Sequence, residues 1–192
     1  MRSMRVLIAE DDTAVAHGLR EQLESVGHTA LGVARTGAEA VRLSRELRPD
    51  AVVMDIKMPE LDGLEATRQV LERTPTAVVI LTGHLQPELI ERATQAGAMA
   101  YLVKPVETQE LEAALQVARQ RFDEAQELRG EVANLQEAMR ARKLVERAKG
   151  IIMARLNLTE AEAFRRLQKH ARDQNRKLGD VARSIVDADQ MM

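Results

Sequence analysis

The sequence predicts an α/β protein with a doubly wound five-stranded parallel sheet, followed by a helical linker and a small three-helix bundle. Short apolar runs alternate with amphipathic helical stretches five times through about residue 122, a pattern typical of βαβ units around a parallel sheet. Beyond residue 108 the strand pattern does not return, and apolar residues recur only at helical spacing. A chain of 192 residues is long enough for both modules.

Each predicted strand is a short apolar run, and each predicted helix places apolar residues three and four positions apart. Glycine and proline lie at the joins, where these residue types end regular elements. The strand and helix pairs are 5–9 with 14–26, 28–34 with 37–48, 51–54 with 64–73, 77–81 with 87–96, and 100–103 with a helix from about Thr108. Ligand sites in such a sheet lie at the carboxyl ends of the strands.

The fifth helix continues past the sheet in a second apolar frame. Its first frame, typical of a helix that packs on the sheet, comprises Leu111, Leu115, Ala118, Phe122 and Ala125. The second frame, out of step with the first, comprises Leu128, Val132, Leu135 and Met139. It predicts a helical linker over residues 123–142 that is able to pair with a second copy as a coiled coil. Because only about two heptads are covered, we expect a monomer or a conditional homodimer.

Residues 143–192 predict a three-helix domain whose first helix continues the linker. The segment RKLVERAKGIIMARL forms this helix and ends before a turn at residues 157–159. Thr159, followed three residues later by Glu162, is a capping-box pattern that begins the second helix. The third helix is expected over residues 178–187, where apolar residues again follow helical spacing.

Charge is distributed unevenly along the chain. Residues 1–139 carry 15 Lys and Arg against 23 Asp and Glu, whereas residues 140–192 carry 13 against 7. An acidic body with a basic tail predicts an anionic partner for the tail, and a solvated basic surface is the alternative. The chain has no cysteine, no apolar run of about 18 residues and no signal-peptide pattern, so we expect a cytoplasmic protein without disulfides or a membrane anchor.

Polar residues follow four of the predicted strands at the point where each strand ends. Asp55 ends the third strand in AVVMDIKMP, and Glu10 and Asp11 follow the first. Thr82 and Lys104 close the fourth and fifth. In a doubly wound sheet these positions converge on one edge, where clustered carboxylates require a cation and oxygen ligands suit Mg²⁺. With the metal bound, Asp55 is able to act as a nucleophile toward phosphorus, with Lys104 and Thr82 on the phosphoryl oxygens.

The motifs at these strand ends, LIAEDD, MDIKMPELDG, ILTG and YLVKP, resemble those of the receiver domain of two-component response regulators. The resemblance covers residues 4–122 and implies a flavodoxin-like receiver domain over residues 1–122 that a sensor histidine kinase phosphorylates on Asp55. None of the four histidines of this chain stands in a nucleophilic setting, which favours a separate kinase as the donor.

The resemblance also implies two sets of site residues. The implied Mg²⁺ ligands are Glu10, Asp11, Asp55 and the backbone carbonyl of Lys57. The implied phosphoryl-stabilising and switch residues are Thr82, Lys104 and Tyr101, of which Thr82 and Tyr101 form the switch pair. The Lys104–Pro105 bond is expected to be cis by the same resemblance.

An enzymatic alternative uses the same kind of carboxylate. Haloacid-dehalogenase-type phosphatases also place a nucleophilic Asp at a strand end, but they need a second Asp two positions later, where this chain has Lys57. Glycine-rich loops of the GxGxxG and Walker types are absent from the sequence. We therefore expect a regulator and not an enzyme.

The basic tail has the composition of a phosphate-binding surface, with twelve Lys and Arg between residues 140 and 177. Arg142 and Lys149 are seven residues apart, so they share a helical face that is able to follow a phosphate backbone. Phe164 is the only aromatic residue of the tail, and its apolar neighbours place it in the core, which disfavours a stacking platform for bases. DNA recognition by a helix-turn-helix is one alternative, and a purely protein-binding regulator is another.

The tail motifs ERAKGIIM, TEAEAFRRLQKHARDQN and KLGDVARSIV resemble the ANTAR family of RNA-binding antitermination domains, over residues 128–190. The resemblance implies a domain over residues 143–192 that binds stem-loop RNA in nascent transcripts and prevents transcription termination. Gly150, in the Ala-Lys-Gly core of the family motif, has two interpretations: close helix packing, which is favoured, or close approach of RNA. The expected RNA contacts are Arg142, Lys143, Arg147, Lys149 and Arg172.

Overall fold

The computed structural model describes residues 3–83 and 86–190, so residues 1–2 and 191–192, at the outer ends of the predicted domains, lie outside the described residues. The chain divides into two compact units, Met1–Gln126 and Glu127–Met192. All five described strands belong to the first unit, and the second unit is helical.

The first unit is built around a five-stranded parallel sheet in the order β2-β1-β3-β4-β5. The strands are β1 (Arg5–Ala9), β2 (Thr29–Ala34), β3 (Ala51–Asp55), β4 (Ala77–Thr82) and β5 (Ala100–Val103). The intervening helices are α1 (Thr13–Ser25), α2 (Gly37–Leu47), α3 (Gly63–Arg73) and α4 (Pro87–Ala96). The strand order reverses between β1 and β3, the switch point at which doubly wound sheets bind ligands. The predicted fold class is confirmed.

Both faces of the sheet are covered by helices, and for this reason the central strands are apolar throughout and do not alternate. β3 and β4 are buried at every position. On one face, Val53 and Leu81 pack against α1 and the start of α5 (Thr108–Leu156). On the other face, Met54 and Ile80 pack against α2, α3 and α4. The polar ends of the strands are thereby held at one edge of a rigid core.

α5 is one continuous helix of 49 residues, and it contains both the predicted linker and the predicted first helix of the C-terminal module. Because its apolar frame changes along its length, Leu111 and Leu115 are buried whereas Leu128 and Leu135 are exposed. We call the exposed second frame the linker stripe; it comprises Leu128, Val132, Leu135 and Met139. Despite its length, α5 lacks the hydropathy of a membrane span, as do the other helices of the described part of the chain.

The second unit packs the end of α5 against α6 (Glu160–Asp173) and α7 (Leu178–Gln190). Its core includes one buried side chain from each of the three helices, Ala148, Leu167 and Val181. The helical spacing of apolar residues in the sequence thus produces one shared core, as predicted for a small bundle.

The predicted capping box is present at the start of α6. The backbone N–H of Thr159 donates to Glu162 Oε2 (2.9 Å), and the Thr159 hydroxyl accepts from the Glu162 N–H (3.4 Å). Hydrogen bonds from the side chain and backbone of Thr159 lower the pKa of Glu162. The carboxylate form of this side chain therefore holds the first turn of α6.

Candidate functional site

Asp55 is the last residue of β3, so the strand is one residue longer than predicted. Its backbone pairs in register with Leu81 of β4, because the neighbouring strand continues to Thr82 and extends the parallel ladder. The Asp55 residue is 6 % exposed. A strand residue is held more firmly than a loop residue, so the carboxylate has a defined position at the edge of the sheet.

Gly63, the first residue of α3, lies directly against Asp55. A Cβ at Gly63 would overlap the backbone carbonyl oxygen of Asp55 and lie 3.0 Å from the Cα of Ile56. Only glycine fits this close approach of two backbone segments. Gly63 is absent from the predicted site residues, although the Asp-Gly dipeptide in ELDG is the sequence signal of such a turn.

Three carboxylates meet at this edge of the sheet. Glu10, Asp11 and Asp55 each offer an oxygen atom, and these oxygens lie within 4.8 Å of one another. Burial raises the pKa of Glu10, a hydrogen bond from Lys104 lowers it and the charge of Asp55 raises it again, with a net rise. Asp12, in contrast, caps α1 by accepting from two backbone N–H groups. A cluster of oxygen donors with excess negative charge fits Mg²⁺ in its donor type.

Lys104 follows β5 and reaches into this carboxylate cluster. Its Nζ donates to Glu10 Oε2 (2.5 Å) and lies 3.0 Å from Asp55 Oδ2. Burial opposes the charge of Lys104, but its hydrogen bonds to Glu10 and Asp55 outweigh that effect and raise its pKa. The ammonium group is therefore charged near neutral pH and lies within reach of any group bonded to Asp55. The Lys104–Pro105 peptide is cis, as expected.

Two of the remaining predicted receiver residues, Lys57 and Thr82, line a cavity beside Asp55, whereas Tyr101 does not. The cavity has a volume of about 480 Å³, and Asp55, Lys57 and Thr82 are among the residues that line it. Tyr101 pairs in register with Ile80, two residues before Thr82, so both side chains lie on the same face of the sheet. Tyr101 is 47 % exposed, whereas Thr82 is buried. The structure thus brings Asp55, Lys57 and Thr82 together and leaves the Tyr101 ring near the surface.

The predicted RNA contacts divide into two groups. Arg142, Lys143, Arg147 and Arg172 are exposed on the second unit. Lys149 is only 8 % exposed. Four of the five predicted side chains are therefore accessible to a partner, and the fifth is not.

Lys149 joins α5 to α6. Its Nζ lies 2.8 Å from Glu146 Oε2 and donates to Glu160 Oε1 (2.6 Å), and it stands 5.7 Å from the ring centroid of Phe164. Hydrogen bonds to Glu146 and Glu160 raise the pKa of Lys149, and the same bond lowers the pKa of Glu160. Helical spacing from Arg142 placed Lys149 on an accessible face, but two carboxylates and an aromatic ring cover it.

Gly150 is exposed near the C-terminal end of α5, inside the helix. A Cβ added at Gly150 would meet no heavy atom within 4 Å among the described residues. Close helix packing, the interpretation favoured from the sequence, therefore does not account for this glycine. A glycine inside a helix lowers stability by about 1 kcal/mol relative to alanine. The chain therefore loses stability at Gly150 and gains an open patch of helix surface there.

Comparison with known proteins identifies both modules. A model of the response regulator receiver domain matches residues 6–116, and a model of the ANTAR domain matches residues 133–186. The chain belongs to the response regulator family. This response regulator is 43 % identical over 183 residues to the transcriptional regulatory protein PdtaR of Mycobacterium tuberculosis strain H37Rv, across 95 % of this chain and 89 % of that protein. The resemblance to receiver and ANTAR domains is confirmed.

Solved structures resemble the receiver part of this regulator. The signal receiver domain of a modulated diguanylate cyclase from Desulfovibrio desulfuricans G20 has a TM-score of 0.60 and 34 % identity, covering 64 % of this chain and 98 % of that one. The receiver domain of the sensor histidine kinase PA1611 from Pseudomonas aeruginosa has a TM-score of 0.56 and 30 % identity, covering 62 % and 98 %. That structure contains a magnesium ion coordinated in the active-site cleft.

Proposed function

We propose that this chain is a cytoplasmic two-component response regulator, phosphorylated on Asp55 by a sensor histidine kinase, that binds stem-loop RNA and prevents transcription termination. The observation that carries the proposed phosphorylation is the position of Asp55, whose carboxylate lies 3.0 Å from the charged Lys104 at the ligand-binding edge of the sheet. The match to the ANTAR domain supports the proposed RNA binding and antitermination. The chain acts in this proposal as a regulator and not as an enzyme.

The placement of its neighbours supports phosphoryl transfer to Asp55. One Asp55 carboxylate oxygen attacks the phosphorus of a phosphohistidine; the new P–O bond forms as the P–N bond breaks, and the imidazole leaves. Lys104 pairs with a phosphoryl oxygen and the Thr82 hydroxyl donates to another. Glu10, Asp11, Asp55 and the Lys57 carbonyl would hold Mg²⁺, which when bound neutralises the charge that accumulates between carboxylate and phosphoryl group.

Phosphorylation shifts a two-state receiver through Thr82 and Tyr101. The Thr82 hydroxyl moves toward the phosphoryl group, and the exposed Tyr101 ring turns inward into the space that Thr82 leaves. This change favours pairing of the linker stripe with that of a second copy, so the regulator is a conditional homodimer. The dimer then presents two basic second units together. Once one unit has bound RNA, the other binds at a high effective concentration, which raises the overall affinity.

The RNA-binding surface is the exposed basic side of the second unit. Arg142, Lys143, Arg147 and Arg172 are the proposed phosphate contacts, since their charged groups are accessible. Lys149 is assigned to holding α6 on α5, because its ammonium group is engaged by Glu146 and Glu160.

Labelling with a small phosphodonor tests the receiver half of the proposal. Acetyl phosphate with Mg²⁺ is expected to modify the wild type and the control variant Asp123→Asn. Asp123 is a half-exposed carboxylate on α5 that pairs with Arg119. Asp55→Asn is expected to abolish the modification, measured by intact mass and by acid- and base-labile phosphate. Undiminished labelling of Asp55→Asn would place the phosphoaccepting residue elsewhere.

Binding to defined nucleic acids tests the proposed RNA binding. The phosphorylated chain is expected to bind hairpin RNA with an affinity that falls steeply with salt. Tighter binding to duplex DNA of defined sequence would indicate a transcription factor instead, and no nucleic-acid binding at physiological salt would indicate a protein-binding regulator. Crosslinking followed by sequencing of the bound RNA from cells then identifies the transcripts, and read-through of their terminators in purified transcription measures antitermination.

A further inference from the structure

We propose that the phosphate backbone of the bound RNA lies in a groove between α5 and the start of α7, where Arg140, Lys177 and Arg183 hold it, and continues across Gly150. This inference rests on the RNA binding proposed above and assigns the surface that performs it. None of these three cations is among the contacts expected from the sequence.

The groove is formed entirely within the second unit. It has a volume of about 410 Å³. Its lining residues come from α5 and from the residues at the start of α7, and they are Ala133, Gln136, Glu137, Arg140, Ala141, Leu144, Lys177, Gly179, Asp180 and Arg183. A Cβ at Gly179 would lie 3.2 Å from the Cβ of Ala141, so the two helices approach closely at the base of the groove. The small residues Ala141 and Gly179 leave room for an RNA backbone to approach, and the long cationic side chains in the lining are able to contact its phosphates.

The charge of the groove is completed by the exposed face of α5. Within the lining, three cations face two carboxylates, Glu137 and Asp180. Arg140, Lys143 and Arg147 follow one another at spacings of three and four, so they share one face of the helix that begins at the groove. This face carries positive charge beyond the groove itself. A polyanion that enters the groove therefore finds a continuous positive path along α5.

Gly150 extends the same helical face. It follows Arg147 by three residues and precedes Ala154 by four, and both small residues are exposed. No described neighbour accounts for the missing side chain at Gly150. A polyanion guided by Arg140, Lys143 and Arg147 is thus able to lie against the helix backbone at this point. Lys149, one residue earlier, is turned away toward Glu160 and leaves the path unobstructed.

Two triple variants of the full-length phosphorylated chain test the groove. The groove variant carries Arg140→Gln, Lys177→Gln and Arg183→Gln. The matched variant removes the same charge from exposed positions of α6 with Arg165→Gln, Arg166→Gln and Lys169→Gln. Binding to a pool of RNA hairpins with randomised loops is measured by filter retention across a salt series, and circular dichroism verifies that both variants are folded.

The slope of log affinity against log salt is the deciding quantity, since each phosphate contact contributes about 0.7–0.9 to it. The groove variant is expected to reduce the slope by about 2–3, and the α6 variant is expected to keep the wild-type slope. An unchanged slope in the groove variant, or an equal loss in the α6 variant, would overturn the inference while leaving RNA binding intact. Failure of the wild type to bind RNA would instead refute the proposed function.

Gly150→Leu supplies a second test that removes no charge and favours helix formation. It is expected to weaken hairpin binding without changing the salt slope, because the leucine side chain occupies the space of the RNA backbone. Wild-type affinity in Gly150→Leu would overturn the path across this residue.

Discussion

Replacing one residue of the linker stripe tests whether phosphorylation acts through pairing of two chains. Leu135 is 66 % exposed and lies between Val132 and Met139 in the stripe. Full burial of a leucine side chain contributes about 1.5–3 kcal/mol, so burying the exposed two thirds contributes about 1–2 kcal/mol per copy. Both copies lose this contribution in Leu135→Asp, and the resulting 2–4 kcal/mol corresponds to about 30-fold to 700-fold weaker dimerisation. The buried carboxylate adds to the loss.

Sedimentation velocity over a concentration series, with and without acetyl phosphate and Mg²⁺, measures this effect. The wild type is expected to dimerise at a lower concentration once phosphorylated, and Leu135→Asp is expected to stay monomeric over the same range. Leu156→Asp is the matched control, since Leu156 is 48 % exposed at the end of α5 but lies outside the stripe. Both variants are expected to accept the phosphoryl group like the wild type.

Two results would refute this reasoning. Phosphorylated Leu135→Asp that dimerises as strongly as the wild type would place the contact between copies outside the linker stripe. A phosphorylated wild type that stays monomeric would show that phosphorylation does not act through dimerisation.

Two further perturbations test the site and the second unit. Gly63→Ala is expected to cost about 1–3 kcal/mol of folding stability and to slow labelling of Asp55, as measured by urea unfolding and intact mass. Gly18→Ala is the control: it lies inside α1, where an added Cβ meets nothing within 4 Å, and it is expected to raise stability by about 1 kcal/mol and to leave labelling unchanged. Glu160 and Glu162 have folded-state pKa values below the ordinary 4.5, so the stability they contribute is complete above about pH 4.5 and is lost as the pH falls through those values. Thermal unfolding of the second unit, followed by circular dichroism, is expected to shift to lower temperature in acid, and a smaller shift is expected in Glu162→Gln; equal shifts in the two proteins would contradict this.

The order of the elements was predictable because each element leaves a local pattern in the sequence. The apolar runs predicted the five strands, and the capping box predicted the start of α6. The edge at which Asp55, Glu10 and Lys104 meet was also predictable, since the carboxyl ends of parallel strands converge on one side. The interactions within that edge were not. The distance from Lys104 Nζ to Glu10 Oε2 joins residues far apart in the chain, and the fit of Gly63 against Asp55 depends on how the loop after β3 folds back onto the end of that strand.

The sequence alone determined which chemical groups reach the edge of the sheet and which helical faces are basic, because strand ends and helical spacing follow from local patterns. Only the tertiary structure decided which of those groups are available. Lys149 and Gly150 adjoin in one helix, yet Lys149 is covered by Glu160 and Phe164 while Gly150 stays open. Arg140 and Lys177 are distant in the chain, yet they line one groove. These relations depend on how α6 and α7 pack against α5, and helical periodicity within one segment carries no information on that packing.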